Sequence, residues 1–240
     1  MIKYFSNLSL VLKNYSDGLG HLIFTNVCLH CNNELTPTEE YLCWLCSDQL
    51  QRTFFEKEAG PTVVDRLFWG RVPIVHATSV YFYGKGTVSQ SLLRALKYDF
   101  KAPLGIYLGQ QMAGALAAHP IKNCDFILPV PIHPRKKFAR GYNQSELLAL
   151  GLSKAWGTPV LKKLAQKRAH TKSQTKLDRF DRWTNVKDMF KSSTLSTQPL
   201  KLLIVDDVIT TGATLEALTR AILEVNPQIQ ISLLSFAYTK

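Results

Sequence analysis

The stretch KLLIVDDVITTGATLEAL, residues 201–218, carries the strongest structural signal in this 240-residue sequence. Residues 202–205 form a short, fully apolar run that is typical of a buried parallel strand, and Asp206 and Asp207 end it. Small and hydroxyl-bearing residues follow at 210–214, and apolar residues then recur every three or four positions, which predicts an amphipathic helix. The predicted order is strand, acidic pair, hydroxyl-rich loop and helix.

Each part of this stretch suits a phosphorylated sugar. The loop enters a helix N-terminus, where free N–H groups and the positive end of the helix dipole favour a phosphate. Gly212 permits the positive φ that turns successive N–H groups inward, and Thr210, Thr211 and Thr214 add hydroxyl donors. The carboxylates can accept hydrogen bonds from a cis-diol. The alternative is an ordinary turn with a solvated acidic pair, which the length of the combined pattern disfavours.

Length and composition indicate one full domain with a small appendage. The chain is 46% hydrophobic, which is enough for a core, and no apolar stretch reaches the roughly 18 residues that span a membrane. The first 20 residues mix apolar with polar side chains and predict an amphipathic helix. Because they lack a continuous signal-peptide core, we expect a cytoplasmic protein without membrane insertion.

The formal net charge of +11 is concentrated in one part of the chain. Residues 133–191 contain 15 Lys and Arg against four Asp and Glu, so the remainder of the sequence is neutral. A solvated basic face is the usual explanation of such a run. This degree of concentration instead favours a site for a polyanion, either pyrophosphate, nucleic acid or both.

Four of the five cysteines form two C-x-x-C pairs that are separated by eleven residues. Cys28 with Cys31, and Cys43 with Cys46, have the spacing of a tetrahedral, four-thiolate structural zinc site. Thiolates favour zinc over magnesium or calcium, and a disulfide or redox role has less support. A segment this short needs the metal to fold, so we predict a small N-terminal zinc-binding module with four cysteine ligands over residues 1–60. Cys124 is expected to be a small buried hydrophobic residue.

The remaining chain, residues 72–240, alternates strand and helix patterns, and residues 51–71 are interpreted as an irregular connection. This alternation predicts an α/β domain with a mainly parallel sheet flanked by helices. Beyond residues 202–218, strands are predicted at 75–83, 125–130, 160–164 and 229–236, and helices at 88–98, 103–118, 145–156 and 177–186.

A basic loop, PIHPRKKFARGYNQ at residues 131–144, follows the second of these strands. Its cations, among them Arg135 and Arg140, suit a pyrophosphate leaving group, on which negative charge builds as the bond breaks. A solvated loop is the alternative. The polar segment 167–175 is either a lid over the site or a plain surface connection, and residues 191–199 are predicted to be a loop.

Residues 206–214 resemble the loop that binds phosphoribosyl pyrophosphate (PRPP) in type I phosphoribosyltransferases. The whole chain from Cys28 onward resembles the ComF family, which includes ComFC- and GntX-like competence proteins. The motifs that carry this likeness are the double C-x-x-C, Leu-Lys-Tyr, Pro-Val-Pro, Arg-Gly-Tyr-Asn-Gln, an Arg-x5-Gln segment, Asn-Val and the PRPP loop. One departure is Phe24-Thr25-Asn26, which replaces a proline-containing lead into the first cysteine pair.

The resemblance implies a cytosolic protein of natural transformation that acts on incoming single-stranded DNA, with other competence proteins as further partners. It implies a type I phosphoribosyltransferase-like fold and Mg²⁺ bound together with PRPP. The catalytic candidates are Asp206, Asp207 and Arg140. The PRPP-binding candidates are Asp206, Asp207, Thr210, Thr211, Gly212, Ala213, Thr214, Lys97, Arg135, Asn143, Gln144, Arg168 and Gln174.

Two functions fit these features. The favoured one is an enzyme that transfers phosphoribosyl from Mg–PRPP to a nitrogen nucleophile, mainly by positioning and electrostatics, because no residue stands out as a general base. The other is a non-catalytic sensor of PRPP or a nucleotide that holds single-stranded DNA along residues 133–191. Its bases would stack on Phe138, Tyr142, Phe180 and Trp183, although core packing is the ordinary role of such aromatics.

Overall fold

The structure is a computed structural model that describes residues 26–99, 101–167, 189–195 and 198–239. Contacts divide the chain into two compact units, Met1–Leu50 and Gln51–Lys240. The predicted N-terminal helix, the predicted helix 177–186 with Phe180 and Trp183, and all but the first residue of the segment 167–175 lie outside the described residues. No helix in the described ranges is long and apolar enough to cross a lipid bilayer.

The described part of the first unit is built around the two cysteine pairs. Its main regular element is the short helix α1, Trp44–Asp48, which begins directly after Cys43. An antiparallel bridge joins Val27 and Glu34 on either side of the first pair. Cys28, Cys43 and Cys46 are buried in a segment with little other apolar material.

Residues 51–71, interpreted above as an irregular connection, contain regular structure and contribute to the α/β core. A 3₁₀ turn spans Phe55–Lys57, and helix α2 spans Val63–Leu67. Thr62 and Asp65 form a reciprocal capping box that fixes the start of α2. Phe55, Val64 and Phe68 are buried in the hydrophobic cluster of the α/β unit, so this segment belongs to that unit.

The α/β unit continues with alternating strands and helices. In chain order they are β1 (Ala77–Tyr83), α3 (Val88–Tyr98), α4 (Ala102–Ala115), β2 (Phe126–Pro129), α5 (Pro134–Arg140), α6 (Gln144–Trp156), β3 (Ala165–Lys167), β4 (Phe190–Ser192), β5 (Lys201–Ile209), α7 (Ala213–Val225) and β6 (Gln230–Thr239).

Four of these strands form a wholly parallel sheet in the order β1-β6-β5-β2. Strand β5 is therefore internal, and its residues Leu202 to Val205 are at most 1% exposed. Such burial on both faces explains the uninterrupted apolar run in the sequence. Strands β3 and β4 form a separate antiparallel pair, with Ala165 opposite Ser192.

Several other local predictions were wrong. The acidic pair does not end β5, because ladder pairing with β6 continues from Asp206 to Ile209. Part of the predicted basic loop is helix α5, which Pro134 and the capping His133 initiate. Residues 160–164 make only one parallel bridge, between Val160 and Ile127. Strand β3 instead begins at residue 165, and its partner β4 overlaps the start of the predicted loop 191–199.

Helices α4 and α6 touch at two glycines. A Cβ on Gly151 would lie 2.2 Å from the Ile106 carbonyl oxygen, and one on Gly109 would lie 2.2 Å from the Leu148 carbonyl oxygen. Each contact is with backbone, which cannot move aside as a flexible side chain can. Only glycine at both positions permits this separation of α4 and α6, and α6 carries several of the polar side chains described below.

We predict that Gly151→Ala lowers the free energy of unfolding by about 3 kcal/mol, because the added methyl group forces the two helices apart. Gly114→Ala is the matched control, since Gly114 lies in α4 and a Cβ there meets no atom within 4 Å. It should be neutral or stabilising by up to about 1 kcal/mol. Urea denaturation followed by circular dichroism measures both, and equal stability of the two variants would contradict the packing described here.

Candidate functional site

A pocket of about 440 Å³ opens where β2 and β5 end, at the carboxyl edge of the sheet. This is the edge at which open α/β sheets bind their ligands. The pocket is lined by Lys97, Val130, Pro131, Ile132, His133, Lys136, Arg140, Gln144, Ser145, Lys167, Met189, Asp206, Asp207 and Thr214. We refer to it as the acidic-pair pocket.

The two adjacent carboxylates of the pocket have different partners. Successive side chains of a strand point to opposite faces. Asp206 accepts a hydrogen bond from the Ser145 hydroxyl at 3.0 Å, whereas Asp207 forms an ion pair with Lys97, at the end of α3. Each also accepts the N–H of the following residue at 2.8 Å. The pair is thus held from two helices while remaining at the pocket wall.

The pKa of Asp206 is raised in this position. Burial raises its pKa, and the neighbouring Asp207 charge raises it further. The hydrogen bonds from the Asp207 N–H and the Ser145 hydroxyl, together with the Lys97 charge, act in the opposite direction and leave the pKa at about 7. Asp206 therefore changes its charge near neutral pH.

The predicted phosphate loop leads into α7 through Gly212, which has a φ of +73°. A Cβ at this position would lie 2.8 Å from the Phe68 ring, so both conformation and packing require glycine. Thr210 and Thr211 are exposed, Thr214 lines the pocket, and Ala213 is the first residue of α7. The structure thus brings the predicted helix start next to the acidic pair.

Arg71 anchors this loop, and the sequence analysis missed it. Its guanidinium donates to the Thr211 carbonyl oxygen at 2.8 Å and, through Nε, to Glu216 of α7 at 2.8 Å. Arg220 bonds both Glu216 and the Arg71 carbonyl oxygen. These hydrogen bonds lower the pKa of Glu216 against the effect of its burial. No local pattern identifies Arg71, since it lies about 140 residues before its partners.

The candidates from the Arg-Gly-Tyr-Asn-Gln motif divide into lining and supporting residues. Arg140 and Gln144 line the pocket and are joined by a 3.0 Å hydrogen bond from Arg140 Nη1 to Gln144 Oε1. Asn143 is buried, caps α6 and donates to the Val130 carbonyl oxygen, so its contacts are structural. The Tyr142 hydroxyl donates to the Leu96 carbonyl oxygen at 2.8 Å, so this contact of Tyr142 is structural.

Lys97 lines the pocket, Arg135 is exposed on α5 and does not line it, and Arg168 and Gln174 lie outside the described residues. Several lining residues were not among the predicted site residues, including Ser145, Lys136, Lys167 and Met189. In the sequence, the basic loop indicated Lys136, and the predicted start of α6 indicated Ser145. The positions of Lys167 and Met189 at the pocket depend on the pairing of β3 with β4.

The cysteine cluster belongs to the first unit. The Sγ atoms of Cys28, Cys31, Cys43 and Cys46 all lie within 4.8 Å of one another. Burial raises the pKa of Cys28, but N–H groups of Cys31, Cys43 and His30 lower it to about 6, so a thiolate is available. Four soft ligands at this spacing can hold a zinc ion in a closed tetrahedral site.

Together, the parallel sheet, the strand-borne acidic pair and the glycine-started helix define the type I phosphoribosyltransferase fold class. The phosphoribosyl transferase domain family matches residues 155–238. This match includes β5, the loop and α7, which form the centre of the candidate site.

Full-length relatives extend the likeness to most of the chain. The chain is 35% identical over 210 residues to the DNA utilization protein YhgH of Escherichia coli O157:H7, which covers 86% of each chain. It is 26% identical over 206 residues to Competence protein F of Haemophilus influenzae, covering 80% of this chain and 89% of the relative. Competence protein ComFC of Bacillus subtilis is 25% identical over 220 residues, with coverages of 86% and 81%. The chain belongs to the ComF family.

We predict that the purified, reduced protein contains one zinc ion per chain, held by the four clustered thiolates. Cys46→Ser should reduce the zinc content at least about tenfold, because loss of one of four ligands opens the site. Cys124→Ser is the control, since Cys124 lies outside the cluster and burial raises the pKa of its thiol to about 11. Elemental analysis measures both, and substoichiometric zinc in the unmodified protein would refute the assignment.

Proposed function

We propose that this protein binds PRPP in the acidic-pair pocket and transfers its phosphoribosyl group, with loss of pyrophosphate, in the handling of DNA taken up by the cell. The single observation that carries the proposal is the carboxylate pair of β5 beside the Gly212-started helix α7. The names of its relatives support the setting, since they are called competence and DNA utilization proteins. The proposal includes a cytoplasmic location, where cysteine thiols stay reduced, and a division into an N-terminal zinc-binding module and a phosphoribosyltransferase domain.

Residues of the loop and strand would bind the sugar. Backbone N–H groups at the start of α7 and the hydroxyls of Thr210, Thr211 and Thr214 suit the 5′-phosphate. Asp206 and Asp207 accept hydrogen bonds from the ribose hydroxyls, and these bonds replace the ion pair that Asp207 makes with Lys97. Lys97 is then free to approach the phosphates. Oxygen ligands on this pair also suit Mg²⁺, which would enter with PRPP and neutralise part of its charge.

The transfer step needs little covalent chemistry from the protein. The C1′–O bond breaks, and its electron pair leaves with pyrophosphate. A ring nitrogen of the acceptor forms the new C1′–N bond, and its proton passes to pyrophosphate or solvent. Arg140 and Lys136 line the pocket as cations and stabilise the departing charge. Positioning and electrostatics therefore supply most of the rate enhancement.

The test is calorimetric titration with Mg–PRPP, followed by measurement of pyrophosphate release across a panel of bases and oligonucleotides. Asp207→Asn should reduce release at least about hundredfold, because a neutral amide cannot replace the carboxylate. Glu224→Gln, an equivalent charge change on an exposed residue of α7, should leave pyrophosphate release unchanged.

The affinity for Mg–PRPP should rise about tenfold between about pH 6 and about pH 8, since Asp206 loses its proton over that range. Asp206→Asn should remove that part of the pH dependence. Failure of the unmodified protein to bind Mg–PRPP would refute the proposal.

A second candidate function, the binding of single-stranded DNA, is favoured by the surface of α5. Phe138 is 92% exposed, and its neighbours Arg135, Lys136 and Lys137 are exposed cations. Folding alone does not require a phenylalanine in this position. An exposed aromatic ring among cations suits a nucleic acid strand, whose bases stack while its phosphates pair with the basic side chains. Because Lys136 also lines the acidic-pair pocket, a strand on α5 would pass the opening of the site.

Phe138→Ala should weaken binding of an oligothymidylate about tenfold, the usual effect of losing one stacked base. Arg135→Gln combined with Lys137→Gln should lower the dependence of log K on log salt by about 1.4, or about 0.7 for each lost phosphate contact. Trp69→Ala, another exposed aromatic but on the 51–71 segment, is the control. Fluorescence anisotropy at several salt concentrations measures all three, and unchanged affinity of the Phe138 variant would exclude α5 as the surface.

A further inference from the structure

One wall of the acidic-pair pocket carries hydrogen-bond donors that face no acceptor among the described residues. These donors come from α5, from the start of α6 and from the end of β3. Their side chains are Lys136, Gln144 and Lys167, and all three line the pocket. The carboxylates of the pocket are already engaged, since Asp206 meets Ser145 and Asp207 meets Lys97.

The Gln144 amide is the clearest of these donors. The residue is 2% exposed, and its Nε2 atom has no hydrogen-bond partner among the described residues. The orientation of the amide follows from Arg140, because a guanidinium only donates and must therefore face Oε1. The NH₂ group is thus the free end. A buried donor without an acceptor is costly, so this group indicates a ligand oxygen.

Lys167 is the second donor without a hydrogen-bond acceptor among the described residues, although its ammonium lies 5.4 Å from the centroid of the Phe190 ring. Burial lowers its pKa, the charge of Lys136 lowers it further, and Asp206 opposes the change. No carboxylate in the described ranges forms an ion pair with Lys167, whereas Glu146 outside the pocket pairs with Lys137 and Lys162. A half-buried ammonium next to another cation is best satisfied by a carbonyl or anionic oxygen of a ligand.

Apolar side chains accompany the donors. Met189, which directly precedes β4, lines the pocket and packs against the hydrophobic core, and Ile132 lines the pocket after β2. Apolar surfaces with a few placed polar groups are typical of sites for flat heterocycles. Donors on the same wall would then contact the edge of the ring.

We propose that the acceptor is a heterocycle whose ring edge carries carbonyl oxygens, not an amino-substituted one. The inference rests on the proposed phosphoribosyl transfer and names its acceptor class. Carbonyl groups conjugated with the ring spread the negative charge of a deprotonated ring nitrogen, and the Lys167 ammonium stabilises that charge. Such an acceptor releases its proton to water before it attacks C1′, so the pocket needs no dedicated base. An amino group at the ring edge would instead oppose the Gln144 NH₂ and the Lys167 ammonium, donor against donor.

The test is the affinity of two matched pairs of nucleoside 5′-monophosphates, measured by equilibrium dialysis with Mg²⁺. Inosine and uridine 5′-monophosphates carry a carbonyl where adenosine and cytidine 5′-monophosphates carry an amino group. We expect the carbonyl member of each pair to bind at least about tenfold more tightly. Lys167→Met should reduce this ratio to near one without changing the affinity for ribose 5-phosphate. Gln144→Glu, which keeps the acceptor for Arg140 and removes the NH₂ donor, should also reduce the ratio.

Lys163→Met is the control, because Lys163 is an exposed cation four residues before Lys167, and it should keep the full preference. Equal affinity within each pair, tighter binding of the amino members, or an undiminished ratio in both pocket variants would overturn the inference while ribose 5-phosphate still binds. If neither Mg–PRPP nor ribose 5-phosphate binds, the proposed function itself fails, and the acceptor assignment fails with it. The thermal unfolding temperature of each variant shows whether it is folded.

Discussion

Two neighbouring carboxylates within an internal strand, β5, are the constraint on which the site depends. Close negative charges in a partly buried place repel each other, so the fold supplies a cation to one and a hydroxyl donor to the other. Burial still raises the pKa of Asp206 to about 7. From about pH 4 to about pH 7 the folded state therefore holds a proton that the unfolded chain has lost, and stability falls as the pH rises through that range. The raised pKa of Asp206 therefore lowers the free energy of unfolding of the ligand-free protein at neutral pH.

The charges of the pocket are segregated in a way that suits a ligand with two chemical ends. The acidic pair and Lys97 lie around the end of β5, while α5, α6 and β3 contribute cations and an amide donor. A diol-bearing sugar suits the first group, and phosphates and carbonyl oxygens suit the second. Helices α4 and α6 meet without side chains at Gly109 and Gly151, and this close contact contributes to holding α6 and its donors in place.

What could be predicted from the sequence was local. The apolar run of β5, the helix after Gly212 and the paired cysteines follow from spacing and residue type within a few positions of one another. The continuation of β5 to Ile209 depends on pairing with β6. The sequence predicted an earlier strand end, because acidic residues such as Asp206 and Asp207 are uncommon in strands. The β3–β4 pair and the Arg71 anchor join residues that are far apart in the chain, so local periodicity does not indicate them.

Residues 51–71 determine where the chain can be shortened. The Phe68 ring packs closely against Gly212, and Arg71 donates hydrogen bonds to the Thr211 carbonyl oxygen and to Glu216. A truncated protein that begins at residue 72 would retain every strand of the parallel sheet and yet lack the support of the loop at residues 210–214. A fragment that begins at Gln51 keeps that support, together with the buried Phe55 and Val64. The smallest fragment suitable for crystallisation or for domain exchange between relatives therefore starts well before the first strand.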